Sequence, residues 1–92
     1  MTMARLVVLV SGNGSNLQAV LDGCASGELD AQVVAVISDR PEAFGLERAR
    51  RANIAAIAQP KLVTQDRATY DVELAARISS FDPDWIVLAG WM

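Results

Sequence analysis

An open, mostly parallel α/β sheet in the order β-α-β-α-β-α-β is what this sequence predicts, on three observations. The segments "ARLVVLV" and "AQVVAVIS" are continuous Val-rich apolar runs of strand length, the pattern of strands buried on both faces of a parallel sheet. Between the apolar runs, hydrophobic residues recur every three or four positions, the spacing of helices. Gly and Pro punctuate the junctions, and alternating strands and helices favour right-handed crossovers.

The elements follow in order. After "ARLVVLV" the chain passes abruptly into six small or polar residues, Ser11 to Asn16. Leu17, Val20, Leu21 and Cys24 then lie at helical spacing, so a helix starts near Ser15 or Asn16 and stops at Gly27. "AQVVAVIS" is the second strand. Pro41 lacks an N–H and biases Arg40 away from helical geometry, which makes "SDRPEAFG" a loop. "FGLERARRA" reads as a short helix with its charges on one side, and "IAAIAQ" as a weaker third strand ended by Pro60. From Thr64 onward, Tyr70, Leu74, Ile78 and Phe81 form one face of an amphipathic helix, with Asp66, Arg67, Asp71, Glu73 and Arg77 on the others. "DPD" breaks it. "WIVLAG" is a fourth strand of buried character, yet "WIVLAGWM" stops with no helix to cover it, which leaves an open edge and an uncovered apolar surface. Residues 1–92 are therefore expected to be part of one larger domain.

Composition bounds the chemistry. The 92 residues, 52% hydrophobic, suffice for one modest core. Eight basic residues against eleven acidic give a net charge of −3, without the basic excess that nucleic-acid binding requires. Cys24 stands alone, cannot form an internal disulfide, and reads as a small core hydrophobe in a reducing compartment. Neither a leader pattern nor a run near ~20 apolar residues occurs, so the expectation is a cytoplasmic protein without a membrane partner. Histidine is absent, which removes the commonest general base and zinc ligand, and a lone Cys cannot build a metal cluster, so chemistry done within these residues would be unusual.

The glycine-rich turn is the candidate site. In an open parallel sheet the first strand-to-helix turn is the usual phosphate station. Gly12 and Gly14 allow positive φ and close backbone approach. Ser15 and Asn16 fall at a helix N-terminus, where unpaired amides and the helix dipole favour an anion. The plainer alternative is a tight turn in which Ser15 or Asn16 only caps the helix. Gly12-x-Gly14 also begins the dinucleotide pattern G-x-G-x-x-G, with Asp39 placed for a ribose. Leu17 replaces its third glycine, and no Gly-Lys-Ser/Thr follows, so the turn reads as a site for one phosphate rather than a pyrophosphate.

The segments "VLVSGNGSNLQAVLDGC", "VISDRPEAFGLERAR" and "DPDWIVLAGWM" resemble the N-terminal half of the phosphoribosylglycinamide formyltransferases, and the resemblance runs along the whole sequence. It implies that the Rossmann-like sheet is the N-terminal part of a formyltransferase domain. The implied reaction moves a formyl group from 10-formyltetrahydrofolate, a co-substrate, to 5-phosphoribosylglycinamide in purine synthesis, without a metal. By the same resemblance Gly14, Ser15 and Asn16 hold the ribonucleotide phosphate. Arg67 and Met92 match folate-binding positions; by themselves they read as a solvated helix charge and a strand-end apolar residue. The family's catalytic Asn, His and Asp fall after the position of Met92. Two positions depart from the family pattern: Asp39 where Asn is frequent, and Trp91 where Phe is. The alternative of another class is a non-catalytic nucleotide- or dinucleotide-binding module. The related formyltetrahydrofolate hydrolases and methionyl-tRNA formyltransferases share the implied fold, and the polar anion turn argues against them.

Overall fold

The computed structural model describes residues 3–91. Its elements are β1 (Ala4–Val10), α1 (Ser15–Ser26), β2 (Ala31–Ser38), α2 (Phe44–Arg51), β3 (Ala55–Ala58), α3 (Arg67–Ser79) and β4 (Trp85–Leu88). All paired strands are parallel, in the order β3-β2-β1-β4. The chain winds outward through β2 to β3, then crosses back to place β4 on the far side of β1. This is the α/β architecture expected from the alternating pattern.

The period-2 alternation of β1 divides the core in two. Leu6, Val8 and Val10 point to one face and pack with Leu17 and Leu21 of α1 and Leu46 and Ala49 of α2. Val7 and Leu9 point to the other and pack with Ala35, Ile37 and the Tyr70, Leu74 and Ile78 stripe of α3. A strand sandwiched this way has no polar face, which is why β1 and β2 read as unbroken apolar runs. Each such side chain, fully buried, contributes about 1.5–3 kcal/mol. Leu17→Ala, emptying the contact between α1 and the sheet, would cost about 2–5 kcal/mol.

The pairing of β1 with β2 slips by one residue: Leu6 faces Val33, but Val7 faces Ala35. Val34 is thus the extra residue of a bulge, and Val34 and Ala35 both pack on the α3 side. A uniformly apolar run contains no signal for such a slip, because either register buries the same kind of side chain.

Helix ends follow local chemistry. Gly27, at φ 85°, closes α1 with its N–H on the Cys24 carbonyl. Cys24 is half-buried against the α1–α2 side of the core, and burial pushes its thiol pKa up, as suits a small hydrophobe. Helix α3 starts at Arg67 rather than Thr64, because the Asp66 carboxylate accepts the Thr69 N–H at 2.7 Å and fixes the boundary.

Strand β4 occupies an edge. Trp85, Ile86 and Leu88 are 67%, 51% and 66% exposed, so the buried character of "WIVLAG" belongs to its composition and not to its surroundings among the described residues. It is nevertheless well anchored. Arg5 donates through its main-chain N–H to Asp84 Oδ2 at 2.8 Å and through its guanidinium to the carbonyls of Phe81 (2.7 Å) and Asp82 (3.0 Å), while Asp84 N–H donates back to the Arg5 carbonyl at 2.8 Å.

Candidate functional site

The carboxyl ends of β1, β2 and β4 meet where the chain leaves β1. Since β2 flanks β1 on one side and β4 on the other, this is the topological switch point of the sheet, where open α/β folds bind ligands. Ser11, Gly12, Arg40 and Gly90 line a cavity of about 240 Å³ there. Ser11 is buried and donates its main-chain N–H to the Gly90 carbonyl at 3.2 Å, tying the first turn to the end of β4.

The turn itself departs from a simple capped start. Gly14 is the N-cap, in the left-handed region at φ 82° and ψ 23°, and no side chain caps α1. Ser15 and Asn16 are exposed members of its first turn, which excludes the reading in which one of them serves only as the cap. The first intrahelical bond runs from Gln18 N–H to the Gly14 carbonyl at 2.8 Å, so the amides of Ser15, Asn16 and Leu17 precede the helix ladder. No acidic side chain stands in this turn. Amides at the positive end of a helix dipole, each worth about 1.5–3 kcal/mol to a charged acceptor, suit a compact anion.

The two glycines of the turn play different parts. Gly14 needs its positive φ and its missing side chain, because a Cβ there would lie 2.6 Å from Gly45 Cα. Gly12 does not use the positive φ that glycine allows, and a Cβ there would meet nothing within 4 Å. Protein packing therefore does not require glycine at position 12, which leaves bare backbone facing the open end of the sheet.

The remaining predicted residues are dispersed. Arg67 opens α3 on the opposite face of the sheet, over half exposed, pairing with Asp71 Oδ1 at 3.3 Å and lying 5.6 Å from the Tyr70 ring centroid. It shares the strand-end side of the molecule with the turn, as the first residues of helices following parallel strands must, but it does not join the turn. Met92 lies outside the described residues. Trp91 is half-buried against the α3 side of the core. Asp39 follows β2, and its Oδ1 is buried without a hydrogen-bond partner. Leu17, at the third position of the dinucleotide pattern, is fully buried between α1 and the sheet.

Two residues of the turn's support escaped the sequence reading. Gly45 sits in the first turn of α2, where a Cβ would meet Val10 Cγ2 at 2.8 Å, and its N–H donates to the Gly12 carbonyl at 3.1 Å. Arg48, one helical turn on, donates to Asn13 and Gln18. The available signal was the glycine itself: inside a helix it costs roughly 0.5–1 kcal/mol against Ala, so a close approach should be sought there.

Residues 4–92 match the formyl transferase family along nearly the whole chain. The chain belongs to the formyl transferase family. Among its relatives it is similar to the phosphoribosylglycinamide formyltransferase of Escherichia coli (strain K12), 48% identical over 88 residues that cover 96% of this chain and 42% of the relative. The protein of that name from Schizosaccharomyces pombe is 43% identical over 99 residues, covering 98% of this chain and 48% of the relative. In structure, the formyl transferase chain superposes on glycinamide ribonucleotide transformylase 1 from Symbiobacterium toebii with a TM-score of 0.94 at 47% identity, covering 98% of this chain and 42% of that one. It thus spans less than half the length of each. Within this formyl transferase sheet, no helix of the described residues is long and apolar enough to cross a membrane.

Proposed function

We propose that the complete protein transfers a formyl group from 10-formyltetrahydrofolate to the amino group of 5-phosphoribosylglycinamide in cytoplasmic purine synthesis. In this reading, residues 12–16 seat the ribonucleotide phosphate, with Gly14, Ser15 and Asn16 as its direct holders. Arg67 and Met92 serve the folate. The observation that carries the reading is the uncapped, acid-free start of α1 behind the left-handed Gly14.

The division of labour follows from the chemistry. The amine attacks the formyl carbon, the carbonyl oxygen becomes a tetrahedral oxyanion, and collapse expels the folate nitrogen, which takes up a proton. Stabilising that oxyanion and moving the protons fall to the Asn, His and Asp that the family resemblance places beyond position 92. The turn supplies position. A phosphate held on rigid amides fixes the line along which the distant amine approaches, and such pre-ordering is a large part of the rate in two-substrate reactions.

Titration of the full-length protein tests the assignment. Asn16→Ala, which deletes the side-chain amide donor beside the main-chain ones, is expected to weaken binding of 5-phosphoribosylglycinamide while leaving folate affinity nearly unchanged. Equal losses for both ligands would remove the phosphate from this turn.

A further inference from the structure

We infer that Arg48 is a positioning residue for the ribonucleotide: its guanidinium locks the conformation of the Gly12–Asn16 turn. This rests on the reading of that turn as the phosphate seat.

The contacts form a clamp from α2 onto the turn. Arg48 Nε donates to the Asn13 main-chain carbonyl at 2.9 Å, Nη2 to Asn13 Oδ1 at 2.6 Å, and Nη1 to Gln18 Oε1 of α1 at 3.2 Å. One planar fork therefore holds both oxygens of the residue before Gly14 and the first full turn of the helix after it. The fork is itself held, with the guanidinium carbon 4.9 Å from the Phe44 ring centroid. Gly45 N–H also bonds to the Gly12 carbonyl at 3.1 Å, and Gly14 packs against the backbone of Gly45.

The consequence is functional because of which groups are left over. Asn13 has both oxygens engaged by Arg48, so the turn has one arrangement in which its carbonyls face α2 and the following amides face outward. An anion meets donors already aimed at it and does not have to order a glycine-rich loop, the state in which ordering entropy weighs most on affinity. Arg48 also keeps a positive charge one residue from the seat, but charge alone would not need three directed bonds. A lysine offers a point charge and cannot reproduce the fork.

The test uses the full-length protein, with Arg48→Lys, Asn13→Ala and the double variant. Arg48→Lys is expected to raise KM for 5-phosphoribosylglycinamide about tenfold or more, with kcat reduced far less and KM for the folate co-substrate unchanged. A purely structural role would lower melting temperature and affect both substrates alike. If Lys restores wild-type KM, the fork is irrelevant and the inference is overturned. Asn13 is exposed, and Asn13→Ala removes only the Nη2 bond, so it should raise the same KM by less than Arg48→Lys does; added to Arg48→Lys it should contribute little more. If Asn13→Ala costs as much in the Arg48→Lys background as it does alone, the Asn13 side chain does not act through Arg48 and the inference is overturned. Undiminished ribonucleotide affinity in both single variants, with Asn16→Ala still harmful, would defeat the clamp alone. Wild-type protein that fails to bind the ribonucleotide, or binds it indifferently to Asn16→Ala, would defeat the phosphate reading and the clamp with it.

Discussion

Gly14 and Gly45 meet backbone to backbone, so that a β-carbon on Gly14 would lie 2.6 Å from the α-carbon of Gly45. The contact explains in steric terms why the "SGNGSN" turn and the "AFGLERAR" block occur in one chain. Gly14 lacks a side chain against the backbone of α2, and Gly45 lacks one against Val10 of β1.

Substitutions along the turn should therefore divide sharply. Gly14→Ala combines a left-handed φ with a backbone clash and is expected to cost about 3 kcal/mol or more. Gly45→Ala presses on Val10 Cγ2, a short branched side chain in the core with little room to yield, and should cost about 1–3 kcal/mol. Gly12→Ala meets no protein atom and should stay within ~0.5 kcal/mol of wild type while still weakening ribonucleotide binding. Thermal melts and titration of the three full-length variants check the order.

A pH effect is expected at the start of α3. Hydrogen bonds from Thr69 hold the Asp66 carboxyl below the usual carboxylate range, with a smaller favourable contribution from Lys61. A folded pKa below the unfolded one means that the stabilisation is complete above the unfolded pKa and is lost as pH falls through the folded value. Asp66→Asn should accordingly lower the melting temperature at neutral pH and match wild type in strong acid. A deficit independent of pH would assign the cap to geometry alone.

Strand β4 carries its own consequence. An edge strand with Trp85, Ile86 and Leu88 exposed, and no Lys or Pro within Trp85–Leu88, is a template for pairing with another chain. A polypeptide of residues 1–92 is expected to self-associate in sedimentation runs, and Ile86→Lys should shift it toward monomer. A monodisperse wild-type polypeptide at high concentration would contradict this.

Much of the fold was legible because single residues dictate local geometry. Gly27 stops α1, Pro60 ends the segment after β3, and the Tyr70, Leu74 and Ile78 stripe fixes the buried face of α3. What stayed hidden depends on contacts between distant segments. The bulge at Val34 is silent in an apolar run, whereas the open edge and exposed apolar surface of β4 were expected from the absence of a covering helix. At the candidate site, the polar turn was visible as a local cluster. Arg48 was not, because 35 residues separate it from Asn13 and on a helix it looks like any solvated charge.

The most direct measurement is a crystal structure of the full-length protein with 5-phosphoribosylglycinamide bound. The phosphate oxygens should lie about 2.7–3.2 Å from the main-chain nitrogens of Ser15 and Asn16, with Gly14 still left-handed. A phosphate seated on other residues, with the Gly12–Asn16 amides facing only solvent, would contradict the proposed function at its base.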